Sequence, residues 1–292
     1  MNAYRTDLAL EAAQALKTSP DTALPGVITQ EETVEGYPLT RVEITTEEGA
    51  ELVGKPIGQY LTLGLAPLFR REPEAFPRGA QAIASLISSL LPQEAREGLV
   101  LVVGLGNRMV TPDAVGPRTA DYTMVTRHLV AQEPEKFSLF HPVSALAAGV
   151  LGTTGVESSE LVSAVVKEIR PACIIAVDAL AARSVERLCS TIQITDTGIT
   201  PGSGIGNSRK ALNRETLGIP VIAVGVPTVV DAGTLVADLT GAELSSDQLQ
   251  SYLVTPKDID SQIADLSKVI GYGIDLALQE GLTVSDVELF LS

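Results

Sequence analysis

The sequence predicts an α/β protein: a doubly wound, mostly parallel sheet with helices on both faces, plus β additions at the N-terminal end. Three observations carry that expectation. The runs Leu99-Val-Leu-Val-Val103 and Ala172-Cys-Ile-Ile-Ala-Val177 are apolar without interruption, as strands buried on both faces are. Amphipathic stretches of helical spacing stand between and around them. Strands and helices alternate along most of the chain, which favours parallel pairing through right-handed crossovers.

In chain order, residues 1–24 are polar, begin with Arg5-Thr-Asp-Leu-Ala9 and carry a short helix to about Leu16. They read as a possible processing region at the front of a single domain spanning residues 1–292. Residues 37–46 alternate like a half-exposed strand, and 59–65 read as another. Residues 80–91 have helical spacing that stops before Pro92. A strand at 99–104 leads into an acid-bearing turn and a helix over 117–130, with Pro117 in the first turn, where its missing N–H is harmless. Residues 137–155, rich in Gly, Ala and Ser, read as a mobile loop beside the site. A helix over 157–170 lines Leu161, Val165, Val166 and Ile169 along one face. It leads into a strand at 172–177 and a short helix near 182–188. Strands at 191–195 and 220–225 and a long helix over 258–279 complete the pattern.

Composition narrows the function classes. The chain has 292 residues, 45% hydrophobic and 20% charged, with a net charge of −15. That suits a globular protein of substantial core and argues against a nucleic-acid partner held by a basic surface. Trp is absent and aromatics are 4%, too few for base-stacking platforms. No apolar run reaches the length of a membrane span, and residues 1–24 lack the apolar segment of a secretory signal. Cys173 and Cys189 lie in apolar surroundings without metal-ligand spacing, as buried thiols of a cytoplasmic protein do. No cofactor is expected.

The candidate chemistry rests on acids. Ligands in open α/β sheets gather beyond the carboxyl ends of the strands. Asp113 follows the first apolar run and Asp178 directly ends the second, so neighbouring strands would bring both into one crevice. Taken alone, Asp113 is equally suited to capping the following helix. An acid at the end of Ile174-Ile-Ala-Val177 must meet a partner or keep its proton. Asp196 stands in Asp196-Thr-Gly198, the tripeptide of pepsin-like and retroviral aspartic proteases. Those enzymes pair two symmetric β-rich halves or subunits, whereas here the tripeptide occurs once in an α/β pattern. Asp196 is expected instead to bound a loop of the same crevice.

Two glycine clusters, Gly104-Leu-Gly106 and Pro201-Gly-Ser-Gly-Ile-Gly-Asn207, match neither a dinucleotide fingerprint nor a P-loop. Backbone N–H groups near Gly106 or Gly204 could still hold an oxyanion. His128 and His141 are the only histidines, which leaves little for a nucleophilic triad or a zinc site. A metal on Asp113, Asp178 and one histidine stays open, as does an anion- or nucleotide-binding module without catalysis.

The sequence resembles the germination proteases of spore-forming bacteria. The resemblance rests on Arg5-Thr-Asp-Leu-Ala9, Gly104-Leu-Gly-Asn-Arg-Met-Val-Thr-Pro-Asp-Ala-Val-Gly-Pro117 and Val177-Asp-Ala-Leu-Ala-Ala-Arg-Ser184. It continues through Ile194-Thr-Asp-Thr-Gly-Ile199, residues 201–207 and Leu217-Gly-Ile-Pro-Val-Ile-Ala-Val-Gly-Val-Pro-Thr-Val-Val-Asp-Ala232. It implies an endopeptidase of the spore core that starts degradation of small acid-soluble spore proteins. It also implies a homo-oligomer, a tetramer, made as a zymogen that trims its own N-terminus. Only four residues precede Arg5, so a minimal propeptide or a start near the processed end is expected. By motif, Asp113 and Asp178 become an aspartic dyad unlike that of pepsin. Gly106, Asn107, Arg183, Asp196 and Gly204 become candidates for substrate binding or oxyanion support. The Gly-Leu-Gly-Asn block is also similar to hydrogenase maturation proteases, whose acids bind a metal. That likeness implies their fold, of the phosphorylase/hydrolase type, and a metal-dependent peptidase as the alternative. In an aspartic mechanism, two carboxylates about 3 Å apart share one proton and activate water together.

Overall fold

The computed structural model describes residues 6–16, 23–203, 209–240 and 252–292. Among them the strands are β1 (Val27–Val34), β2 (Tyr37–Ile44), β3 (Gly58–Gly64), β4 (Val100–Leu105), β5 (Val143–Gly149), β6 (Cys173–Ala182), β7 (Thr191–Thr195), β8 (Val221–Asp231) and β9 (Leu253–Val254). The helices are α1 (Ala9–Leu16), α2 (Glu47–Val53), α3 (Ala66–Phe69), α4 (Ala75–Leu90), α5 (Val115–Asp121), α6 (Arg127–Gln132), α7 (Leu151–Thr154), α8 (Ser158–Ile169), α9 (Arg214–Leu217), α10 (Ala232–Thr240), α11 (Ile259–Leu278) and α12 (Val284–Leu291).

One sheet runs in the order β1-β2-β3-β7-β8-β6-β4-β5, with β9 beside β8. The expected α/β class holds, and so do its parallel strands in the half that carries the acids. There β5, β4, β6 and β8 pair in parallel. The N-terminal strands β1, β2 and β3 extend the sheet antiparallel, as additions, and β7 joins β3 to β8 antiparallel on both sides.

Side chains of β4 and β6 alternate between two cores. Val100, Val102, Cys173, Ile175 and Val177 pack with residues of α4 and α11. Leu101, Val103, Leu105, Ile174 and Ala176 pack on the opposite face against α8. This is why both runs are apolar throughout: neither face of either strand meets water. Helix α8 turns the expected face inward, with Val166 buried and Leu161, Val165 and Ile169 against the same cluster. Glu157 and Glu160 close its first turn as a capping box.

Several expectations change. The segment read as a mobile loop contains β5, an edge strand on β4, and α7. Its Ala and Gly content hid a strand whose Val143 and Ala148 alone are buried. The helix expected over 117–130 breaks between α5 and α6. At the break Thr126 donates to the His141 carbonyl and Met124 N–H donates to Asp275. Only a short 3₁₀ turn, Val185–Arg187, occupies the helix expected at 182–188, because β6 runs on to Ala182. Likewise β8 continues past Pro227. Leu180 pairs with Pro227 and Ala181 with Val229, leaving Thr228 as the extra residue of a bulge. Next to a bulge a sheet tolerates the absence of the N–H that proline lacks.

The described part of the expected processing region, residues 6–16, is packed into the domain. Leu8 and Ala9 are fully buried. The Glu11 carboxylate accepts the N–H groups of Arg183 and Ser184 at 2.7 and 3.0 Å.

Candidate active site

The site forms where β4 ends and β6 continues. Past Leu105 the chain takes φ +105° at Gly106, a backbone region closed to most side chains. It then turns at Asn107, whose Oδ1 accepts the Met109 N–H at 3.0 Å. A 3₁₀ turn, Thr111–Asp113, follows and leads into α5. The first turn of α5 lies against backbone: a Cβ on Gly116 would stand 2.3 Å from the Leu105 oxygen and 2.4 Å from the Val177 oxygen. The Asp113 side chain does not cap α5. It reaches back, and its Oδ2 accepts the Asn107 N–H at 2.7 Å.

Asp178 does not end its strand, as expected, but lies inside β6. The ladder to β4 stops at Gly104 opposite Val177, so Asp178 is the first residue beyond it, while Gly225 of β8 still pairs with it. Its side chain continues the row of Ile174 and Ala176, on the α8 face. It is 5% exposed, and its Oδ1 accepts the Ala179 N–H at 2.9 Å.

Asp113 and Asp178 line one cavity of about 370 Å³, together with Gly106, Asp7, Arg209 and Thr228. Their environments differ. Burial raises the Asp178 pKa well above the carboxylate range, and the charges of Asp113 and Asp7 add to it against the opposing Ala179 N–H. Burial also raises Asp113, but the Asn107 N–H and the Arg209 guanidinium oppose that rise. Arg209 is itself held by Glu157 at 2.7 Å.

The other expected site residues divide. Gly106 lines the cavity, and Asn107 orients Asp113 through its main chain. Gly204 lies outside the described residues, although Pro201 and Gly202 of the same loop line the cavity. Arg183 does not. Because β6 runs on beyond Asp178, Arg183 is carried to a separate surface hollow beside Glu11 and Arg187. Asp196 is exposed and away from the cavity. Its Oδ1 accepts the Gln59 N–H at 2.9 Å and so ties β7 to the start of β3.

Asp7, Arg209 and Thr228 were not foreseen. Asp7 stands in the Arg-Thr-Asp-Leu-Ala block and Arg209 follows a glycine loop, but nothing local says that either segment returns to the acids. The histidines stand elsewhere: neither His128 nor His141 lines the cavity. Among the described residues no group of three or more His, Cys, Asp or Glu side chains is placed to hold a metal ion. Cys173 and Cys189 are free and buried, and burial pushes both thiols up to about 12. No described helix is long and apolar enough to cross a membrane.

Residues 5–245 match the family model for germination protease. The germination protease of Caldanaerobacter subterraneus subsp. tengcongensis is 42% identical, over 98% of this chain and 98% of its own length. That of Clostridium perfringens is 40% identical over 99% of each chain. The Priestia megaterium protein of the same name is 48% identical, over 80% of this chain and 65% of its own. Among solved structures, the [NiFe] hydrogenase maturation protease HycI from Thermococcus kodakarensis KOD1 aligns with a TM-score of 0.37 and 15% identity. It covers 65% of this chain and 98% of that one.

Proposed function

This chain belongs to the germination protease family and is a peptidase, and we propose that it opens small acid-soluble spore proteins by activating water between Asp113 and Asp178. One observation carries the mechanism: two carboxyl groups from separate segments line one cavity, and burial raises the pKa of both, that of Asp178 the further. That asymmetry is what general acid–base hydrolysis of an amide needs.

The ionised carboxylate, on Asp113, takes a proton from water as the water oxygen attacks the scissile carbonyl carbon. The protonated carboxyl, on Asp178, hydrogen-bonds the carbonyl oxygen and stabilises the charge that develops there. Collapse of the tetrahedral intermediate breaks the C–N bond, and the proton gained by Asp113 passes to the departing nitrogen. The pair titrates as one unit, so its two apparent pKa values belong to both residues. Backbone N–H groups at Gly106 supplement the oxyanion contact, at a typical worth of about 3 kcal/mol per donor.

The same reading includes a homo-oligomer of the spore core and a zymogen that trims its own N-terminus.

Asp113→Asn and Asp178→Asn test the mechanism. Each is expected to lower cleavage of a purified small acid-soluble spore protein by about 10²–10⁴-fold, with an unchanged circular dichroism spectrum. Full activity in either folded variant removes that residue from the pair.

A further inference from the structure

The cavity of the acid pair has one cation among its described lining residues, Arg209. It is fixed from two sides. Its main-chain N–H donates to the Pro201 carbonyl at 3.0 Å. Three residues later Leu212 and Ile199 exchange backbone hydrogen bonds at 2.8 and 2.9 Å, which ties this stretch to the segment after β7. On the other side its Nη1 donates to Glu157 Oε2 at 2.7 Å. Glu157 is the N-cap of α8. Its neighbour Ser158 lines the cavity and donates its hydroxyl to the Gly149 carbonyl, at the end of β5, at 2.9 Å. The guanidinium therefore rests on the junction of β5 with α8. One of its five N–H groups is engaged there. Among the described residues the others have no hydrogen-bond partner.

Arginine narrows what this group can do. It keeps its proton at physiological pH and carries no acceptor, so it cannot take a proton from water. It donates to oxygen, and most strongly to an oxygen that carries charge. Arg209 also stands close enough to Asp113 for its charge to oppose the rise that burial imposes on that carboxyl. The guanidinium is thus beside the place where water is activated. Attack of that water forms a C–O bond and moves the carbonyl π pair onto the oxygen. Asp178 meets the oxygen with one donor, which leaves a further lone pair to be met.

We propose that Arg209 is a catalytic residue of this site: held on Glu157, it donates to the scissile carbonyl oxygen, and the bond strengthens as that oxygen gains charge. This rests on the aspartate-pair reading above. No proton leaves Arg209, and the C–N bond still breaks as the proton held by Asp113 passes to the nitrogen. A fixed donor aimed at charge that develops in the transition state acts on kcat rather than on KM. A guanidinium that gripped a substrate oxygen away from the scissile bond would act on KM instead. One that served Asp113 alone would move the acid limb of the pH profile and leave the rate at the optimum.

Arg209→Met keeps much of the apolar stem and removes the donors. Its kcat on a purified small acid-soluble spore protein, measured at the optimum of its own pH profile, should fall about 10²–10³-fold. KM should stay within about threefold of wild type. Thermal melting shows whether the variant folds, and if it folds it decides the question. If it does not, Glu157→Gln decides. That change keeps an acceptor at the start of α8 but loses the charge that holds Arg209, and kcat should fall about tenfold with KM unchanged. In the deciding variant, a wild-type kcat at the optimum, or a loss carried mainly by KM, overturns the proposal. Failure of the aspartate pair looks different: Asp113→Asn or Asp178→Asn would then retain activity, whatever Arg209 does.

Discussion

A Cβ built on Gly116 would stand 2.4 Å from the carbonyl oxygen of Val177, the residue that precedes Asp178. Helix α5 therefore rests on the backbone of β6, and of β4 through Leu105, without a side chain between them. The turn carrying Asp113 directly precedes that helix, so Gly116 sets how closely one acid approaches the other's strand. Gly116→Ala forces the helix off the sheet. Overpacking of this kind costs about 1–3 kcal/mol, equivalent to a fall of roughly 2–4 °C in Tm per kcal/mol. Cleavage should drop even at temperatures where the variant is fully folded. An alanine variant with wild-type Tm and wild-type rate would refute this account of the site's assembly.

Asp196 supplies the contrast. It accepts the Gln59 N–H from an exposed position, and asparagine keeps that acceptor. Asp196→Asn should cleave within about twofold of wild type. Asp196→Ala removes the bond, at a cost of about 0.5–1.5 kcal/mol and little activity. A large loss of rate in the asparagine variant, with melting unchanged, would return the Asp-Thr-Gly tripeptide to the chemistry.

The alternative of a metal-dependent peptidase makes an opposite forecast. The acids of the cavity are engaged by main-chain N–H groups, and neither histidine joins them. After dialysis against a chelator the enzyme should retain its full rate, and elemental analysis should find no stoichiometric metal. Loss of activity restored by one divalent cation would displace the aspartic mechanism.

What the sequence made legible follows from burial. β4 and β6 feed a core on each face, so their apolar runs were unbroken, and an acid at Asp178 stood out against that background. β1 gave no such signal because none of its residues is buried; it is an edge strand whose Gln and Glu side chains face solvent, as edges commonly do. β5 was hidden by small residues. Arg183 entered the candidates through the family motif, and β6, which runs on beyond Asp178, carries it to a separate hollow. Asp7 was out of reach for another reason. It meets Ala181 across 174 positions of chain, and periodicity and turn signals are local.

Asp275 gives a test of the fold that is independent of catalysis. It lies on α11, 1% exposed, where its Oδ1 accepts the Met124 N–H at 2.9 Å. Its Oδ2 has no hydrogen-bond partner among the described residues. Burial raises its pKa well above the carboxylate range, against the opposing Met124 N–H. Unfolded, the same carboxyl titrates near pH 3.9. Between those two values the folded chain binds more protons than the unfolded one, so stability falls as pH rises. The favourable contribution is complete below about pH 4 and is gone once pH exceeds the raised folded value. Asp275→Asn keeps the acceptor for Met124 and cannot ionise. At about pH 4 the two proteins should unfold at similar urea concentrations. With rising pH the variant should become progressively the more stable, by up to about 1.4 kcal/mol per pH unit, until the wild-type carboxyl has ionised. Comparing the two proteins cancels the contributions of Asp113 and Asp178, which both retain. A stability difference that stays constant from pH 4 to 8 would show that Asp275 is ionised in the folded chain throughout, and that α11 tolerates a buried charge.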